Sequence, residues 1–234
     1  MIRSVAFGTI VFLAGLALAA DAGKDTVGAA AKKLADASSY SWKTTTEMGG
    51  NSQFRPGPTE GKTEKGGLTY VTMARGDNTT EIVMQGTKGA VKTDDGWKSL
   101  EEMSQDNQQG PGRFMARMVQ NFKAPAAQAQ DLLGKVQDLK EADGAYVGDL
   151  TEEGAKSFMT FGRGGANAPE ISGAKGSAKF WVKDGALTKF EYRVQGKMTF
   201  NNNERDIDRT TTTEIKDIGS TKIDVPEEAK KKIG

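Results

Sequence analysis

The sequence contains neither cysteine nor histidine. Their absence removes disulfide bridges, thiolate nucleophiles, imidazole bases and every zinc site built from Cys and His. Catalysis would therefore have to use Asp, Glu, Lys, Tyr or Ser. Because no motif places such residues in a recognisable catalytic or metal-binding arrangement, we expect a noncatalytic protein that needs no cofactor.

An excess of charge of one sign is also missing. The 234 residues include 32 Lys and Arg against 31 Asp and Glu, so the chain is almost neutral. A neutral chain gains little from counterion release, and we therefore exclude nucleic acid as a partner. Hydrophobic residues make up only 36% of the chain, which excludes a membrane bundle and suits one or two compact domains.

One long apolar run lies at the start of the chain. Arg3 precedes the run from Val5 to Leu18, and the small-residue triplet Ala17-Leu18-Ala19 follows. This pattern predicts a secretory signal peptide, residues 1–19, with cleavage after Ala19. The alternative is an uncleaved anchor, but such a run covers only about 21 Å of a hydrocarbon core about 30 Å thick. We therefore expect residues 20–234 to form a single domain, periplasmic or secreted, soluble after cleavage and monomeric.

The first half of the mature chain reads as one helix followed by strands. Small and apolar residues recur at helical spacing over 27–38. After them, aromatic and β-branched runs alternate with Gly-rich turns, which predicts an antiparallel meander. The predicted strands are 40–48, 59–64, 68–75, 79–85 and 90–93.

The middle of the chain returns to helical spacing. Residues 112–134 contain an apolar stripe of Met and Phe, then Pro125 in the first turn of a further helix that ends at Gly134. The stripe is open to two interpretations, either ordinary core or an adaptable apolar surface. Two strands follow over 136–150, then a short helix that begins after Thr151, and the Gly-rich segment 162–169 is a loop that could act as a lid.

The last third has the clearest strand pattern. Apolar and polar residues alternate over 190–200, which predicts one buried and one solvated face. The turn Asp184-Gly185 joins this strand to 179–183, and 207–218 returns beside it. The whole pattern predicts an α+β fold, in which a curved antiparallel β-sheet of roughly eight to eleven strands, an unclosed barrel, wraps over two to four helices.

The order of elements resembles a known group. The residues that carry the resemblance are the strand with Tyr40-Ser41-Trp42, the pair Gly96-Trp97 after the meander, and the closing segment 218–229 with Pro226 at a helix start. Together with the mid-chain helices they resemble the lipoprotein-carrier superfamily, the LolA/LolB-like fold, which includes mycobacterial lipid-carrying lipoproteins and sensor domains of envelope-stress regulators. The resemblance implies an unclosed barrel over helices with an apolar cavity for acyl chains.

Two functions follow as expectations. The first is an extracytoplasmic carrier or binder of a lipid or other acyl-chain ligand; the alternative is an envelope sensor or interaction domain of the same fold, whose partners would be envelope proteins. Apolar residues of the last strand and of the stripe should face one interior. The expected ligand-binding residues are Trp42, Tyr70, Phe114, Met118, Phe122, Phe190, Tyr192, Val194, Met198 and Phe200.

Overall fold

The computed structural model describes residues 14–50, 55–105, 111–160, 169–200 and 203–234. For residues 14–21, 75, 111, 114 and 200 it describes the backbone alone. The helices are α1 (Ala14–Ala35), α2 (Leu100–Gln105), α3 (Pro111–Gln120), α4 (Pro125–Leu133), α5 (Glu152–Met159) and α6 (Glu227–Ile233).

The strands of this part of the chain all belong to one sheet. They are β1 (Ser39–Met48), β2 (Thr59–Glu64), β3 (Thr69–Arg75), β4 (Asn78–Gln85), β5 (Lys88–Thr93), β6 (Gly96–Ser99), β7 (Lys140–Ala142), β8 (Ala145–Asp149), β9 (Glu170–Lys183), β10 (Ala186–Phe200) and β11 (Asn203–Lys216).

The sheet is antiparallel and open. Its order is β6-β5-β4-β3-β2-β1-β11-β10-β9-β8-β7, so two meanders meet where β1 pairs with β11. The short strands β6 and β7 lie at the two edges, which limits pairing with other chains. The predicted fold class, a curved antiparallel sheet that does not close, packed over helices, is confirmed.

The described helices number six rather than two to four. Helix α2 was missed because six residues carry too little periodicity to be seen. It is stabilised locally by a capping box, in which the Ser99 N–H donates to Glu102 Oε2 at 2.6 Å and the Glu102 N–H donates to Ser99 Oγ at 3.2 Å. Helix α1 begins at Ala14 and not near residue 27, so the predicted cleavage point after Ala19 falls within it and stays a prediction.

Apolar side chains form one cluster on each face of the sheet. The inner cluster contains residues from α1 to α5 and from the facing strands, among them Leu34, Trp42, Phe180 and Phe190. The outer cluster lies beneath α6 and consists of Val83, Ala90, Trp97, Val225, Ala229 and Ile233. Five helices therefore cover the inner face, and α6 covers part of the outer face.

Candidate functional site

A cleft of about 380 Å³ opens on the inner face, where the turns after β2 and β4 lie opposite α2, α3 and the start of α4. We call it the inner cleft. Its volume lies within the range of small-molecule sites, roughly 300–1,000 Å³. The lining is apolar at Met84, Leu100, Val119, Phe122 and Ala124, and polar or glycine at Thr63, Gly67, Thr69, Gly86, Thr87, Lys88 and Gln120.

A glycine of β5 lets the helices approach one wall of this cleft. A Cβ added at Gly89 would lie 2.9 Å from Leu100 Cδ1 and 3.4 Å from Val119 Cγ1. Both side chains line the inner cleft. Because Gly89 has no side chain, α2 and α3 can rest directly on the strand.

An aromatic pair lies beside the cleft. The rings of Trp42 and Phe122 stack with centroids 5.8 Å apart and planes at 25°. Trp42 is only 4% exposed, whereas Phe122 is half-buried and lines the inner cleft. The Nε1–H of Trp42 is buried and finds no acceptor among the described residues. Phe122 therefore stands between the inner cleft and the inner cluster.

The apolar stripe of α3 is partly exposed. Val119 is buried, while Met115, Met118 and Phe122 are half-buried against the inner cluster. Side chains of this kind can change rotamer without opening a packed core, and thioethers adapt to varied apolar shapes. Val119 is therefore core, and the interpretation of its half-buried neighbours as an adaptable apolar surface stays a prediction.

Polar side chains also lie on the inner face, along β1 and β11. The hydroxyls of Thr44 and Thr213 are 2.8 Å apart, and Thr211 is buried beside them. Arg209, on the same face of β11, is 2% exposed and donates from Nη2 to the carbonyl oxygen of Phe158. Burial lowers the pKa of the Arg209 guanidinium.

The sequence analysis did not single out Arg209. A usable signal exists, because Arg209 falls in the same period-two register as Thr211, Thr213 and Ile215, which all face inward. This register predicts that the positively charged side chain of Arg209 is buried. Arg205, which lies nearer the strand end, is exposed.

Helix α5 covers the inner face near Arg209. The Phe158 ring packs against Tyr192 with centroids 4.7 Å apart and planes tilted by 33°, and Lys135 Nζ lies 4.5 Å from the Phe158 centroid. Lys135 Nζ lies 2.9 Å from Asp131 Oδ2; burial raises the pKa of Asp131, but Lys135 and Lys123 together outweigh it, so that the pKa is lowered. The α5 end is therefore closed by aromatic and charged contacts, unlike the open inner cleft.

Most of the expected ligand-binding residues share the inner face. Trp42, Phe190 and Val194 are buried in the inner cluster, and Met118, Phe122 and Tyr192 pack against it half-buried. Met198 is half-buried on the same face of β10, further along the strand. The side chains of Phe114 and Phe200 lie outside the described residues.

The expectation that Tyr70 faces this interior is wrong. Tyr70 packs against the outer cluster, and its hydroxyl donates to Glu81 Oε2. Burial and that hydrogen bond raise the pKa of Tyr70. In β3 the neighbouring residue, Val71, faces inward. The alternation of inward and outward side chains predicted for this strand was therefore shifted by one residue.

A second cleft, of about 560 Å³, lies across β11, β1, β2 and β3 beside the segment that leads to α6. Most of the side chains that line it are charged or polar, as in Lys43, Glu60 and Lys62. Lys43 Nζ and Glu60 Oε1 are 2.8 Å apart, so these charges compensate each other. Although larger, this cleft is a poor match for an apolar ligand.

Within the described ranges, no group of three or more acidic residues lies close enough to hold a metal ion. In the same part of the chain, no helix is both long and apolar enough to cross a membrane. Of the loop 162–169, all but Pro169 lies outside the described residues, so its role as a lid stays a prediction.

No family model and no curated protein matches the chain. Among solved structures, it is similar to LprF from Mycobacterium bovis, with 11% identity, 89% of this chain and 98% of that chain covered, and a TM-score of 0.47. It is also similar to the lipoprotein LppX from Mycobacterium tuberculosis, with 12% identity, 88% of this chain and 99% of that chain covered, and a TM-score of 0.47. A LolA superfamily protein from Nitrosomonas europaea is 11% identical, with 89% of this chain and 96% of that chain covered, and a TM-score of 0.32.

Proposed function

We propose that the protein is a noncatalytic extracytoplasmic carrier or binder of a lipid or other acyl-chain ligand. The ligand occupies the inner cleft and extends along α3 toward the inner cluster. The observation that carries the proposal is the apolar side of this cleft, where Met84, Leu100, Val119 and Phe122 surround open space.

Two properties of the cleft favour an amphiphilic ligand. The apolar part of the lining removes a hydrocarbon chain from water, at about 25 cal/mol per Å². The same lining also includes the polar side chains of Thr63, Thr69 and Gln120. A lipid with one polar end can use both kinds of contact, whereas a sugar or nucleotide would leave the apolar residues without a partner.

The half-buried methionines of α3, the helix whose Val119 and Gln120 line the cleft, support the proposal further. Met115 and Met118 pack against the inner cluster without being enclosed by it. Their side chains can move toward a bound chain and back at little cost, which suits a protein that loads and releases ligands of varied shape.

The direct test is the lipid content of the native protein. The exported protein is purified without detergent and extracted with organic solvent, and the extract is analysed by mass spectrometry. We expect stoichiometric lipid, and we expect the extracted protein to bind an apolar fluorescent dye that a long-chain fatty acid displaces. A lipid-free extract together with no dye binding would contradict the proposal.

The same purification tests the alternative, an envelope sensor or interaction domain. Under that function an envelope protein, and no lipid, copurifies in stoichiometric amount. A matched pair of variants locates the ligand: Met118→Ala in α3 should change dye affinity, while Tyr70→Phe on the outer face should not.

The proposed location requires cleavage of residues 1–19. The mass of the native protein should begin at Ala20, and the protein should stay in the supernatant after membranes are pelleted. A retained leader with membrane association after a high-salt wash would contradict cleavage, but it would leave ligand binding open to the first test.

A further inference from the structure

Gly61 lies directly beneath the ring of Trp42. The two residues are paired across β1 and β2 on the inner face. A Cβ added at Gly61 would lie 2.9 Å from Trp42 Nε1, and closer still to Cε2 and Cζ2. Real Cβ atoms do not approach other atoms so closely, so any side chain at position 61 forces the Trp42 ring to move.

The Trp42 ring in turn supports Phe122. The stacking distance of 5.8 Å is within the range of favourable aromatic pairs. Phe122 belongs to residues 121–124, which join α3 to α4 and are not helical themselves. Its backbone is held by one turn, in which the Phe122 N–H donates to the Val119 carbonyl at 3.1 Å. Contact with Trp42 is thus a main constraint on the ring.

Phe122 faces two spaces at once. It lines the inner cleft, and it packs against the inner cluster. Phe122 therefore lies where a chain that extends from the cleft toward the inner cluster would meet a side chain. Residues of that cluster, such as Val71 and Phe190, are buried.

We propose that Gly61, Trp42 and Phe122 form an aromatic gate that sets how long an acyl chain the inner cleft accepts. This inference rests on the proposed function, because it concerns the same cleft. Phe122 stops the chain, Trp42 positions Phe122, and Gly61 provides the space that Trp42 occupies. Gly61 and Trp42 are positioning residues, and Phe122 is the residue that contacts the ligand.

The test is a chain-length series. Linear fatty acids of increasing length displace an apolar fluorescent dye from the parent protein and from each variant. In the parent, affinity should rise about fourfold for each added methylene that is buried, and should level off where the chain meets the gate. Phe122→Ala should move this plateau to longer chains, because the ring that stops the chain is gone.

Gly61→Ala should act in the opposite direction. The added methyl moves the Trp42 ring away from the sheet and toward Phe122, so the plateau should come at shorter chains. The double variant Gly61→Ala with Phe122→Ala should regain the longer plateau. If Gly61→Ala does not fold, Phe122→Ala still decides the test, because a half-buried residue outside the helices can be truncated without loss of the fold.

Gly196→Ala is the matched control. Gly196 is an inner-face glycine of β10, and a Cβ there would lie 2.9 Å from Met159 Cε, which is away from the gate. This variant adds the same methyl group with a milder conflict, against the flexible end of Met159, and should keep the parental plateau. Urea unfolding of all variants separates lost stability from an altered plateau.

The outcomes separate the two proposals. A plateau at the same length in the parent, Phe122→Ala and Gly61→Ala overturns the gate and leaves the carrier function intact. Absence of fatty acid binding in the parent and in every variant overturns both. Binding by Phe122→Ala but not by the parent overturns the carrier function of the native protein and, with it, the gate.

Discussion

The inner and outer faces of β3, β4 and β5 are covered in different ways. On the inner face, α2 and α3 leave the inner cleft and several half-buried apolar side chains. On the outer face, α6 packs Val225, Ala229 and Ile233 onto Val83, Ala90 and Trp97. One sheet thus carries a cover that leaves open space on its inner side and a close-packed cover on its outer side.

Polar contacts increase this contrast. Lys232 of α6 binds Glu102 of α2 at 2.6 Å, and Lys88 Nζ donates to the carbonyl of Gly234 at 2.7 Å. Both contacts tie the C-terminal helix to residues beside the inner cleft. The helix on the outer face therefore also supports residues that form one wall of the inner cleft.

The largest expected effect comes from truncating the enclosed part of the inner cluster. Phe190 is 1% exposed, so Phe190→Ala should lower the free energy of unfolding by about 3–5 kcal/mol through lost burial and an unfilled cavity. Met118→Ala should cost distinctly less, because Met118 is only half-buried. Urea unfolding of both variants checks this. Equal losses would mean that the stripe of α3 is ordinary core.

The outer cluster should respond next. Ile233→Ala should cost about 2 kcal/mol, near the lower end for a buried Ile, because the residue keeps 7% of its surface exposed and belongs to the smaller of the two clusters. Dye binding in the inner cleft should persist in this variant. The control is Ile218→Ala, at a side chain 40% exposed, where a change within about 0.5 kcal/mol is expected. Thermal unfolding with matched dye titrations measures both effects.

A smaller effect is expected at α5, the helix that covers the inner face near Arg209. Thr151 caps α5, and its Oγ1 accepts from the Gly154 N–H at 2.9 Å. Thr151→Ala should therefore cost about 1 kcal/mol, while Thr151→Ser should keep most of the stability. Chemical unfolding of the two variants provides the measurement, and an unchanged midpoint in Thr151→Ala would show that tertiary contacts alone hold α5.

The smallest effect concerns the ion pair between Lys232 of α6 and Glu102 of α2. The hydrogen bond from Lys232, with those from Ser99, lowers the pKa of Glu102 from 4.5 to about 2. Because this pKa is depressed in the folded state, the stabilisation is present above pH 4.5 and is lost as pH falls toward 2. Lys232→Ala should raise the pKa of Glu102 part of the way to 4.5, since Ser99 remains. NMR titration of the Glu102 carboxyl group measures this pKa. Lys230→Ala is the control, because Lys230 pairs with Glu227 and not with Glu102.

The strands and turns could be predicted because their determinants are local. β2 occupies the predicted residues 59–64, and the turns at Asp143-Gly144 and Asp184-Gly185 join the hairpins as expected. Asp143 and Asp184 have φ of 51° and 53°, a conformation that Asp tolerates and the following Gly adopts freely. A dipeptide and its flanking alternation are enough to specify such a turn.

The candidate site was only partly predictable. Trp42, Met118 and Phe122 were assigned to the inner face correctly, since they follow strand or helix periodicity in long elements. Tyr70 was assigned to the wrong face, and Arg209 was missed. Alternation in a strand divides its residues into two sets, but it does not say which set meets the helices when both faces carry apolar residues.

The sequence by itself determined the strand and helix periods, the turns and the cap of α5, because these depend on contacts between residues close in the chain. Only the tertiary structure decided that β1 pairs with β11 and that α6 covers the outer face. It also brought Gly61, Trp42 and Phe122 together. The physical reason is that long-range pairing depends on the combined burial of all the elements, and the inner cleft is the space that this packing leaves between them.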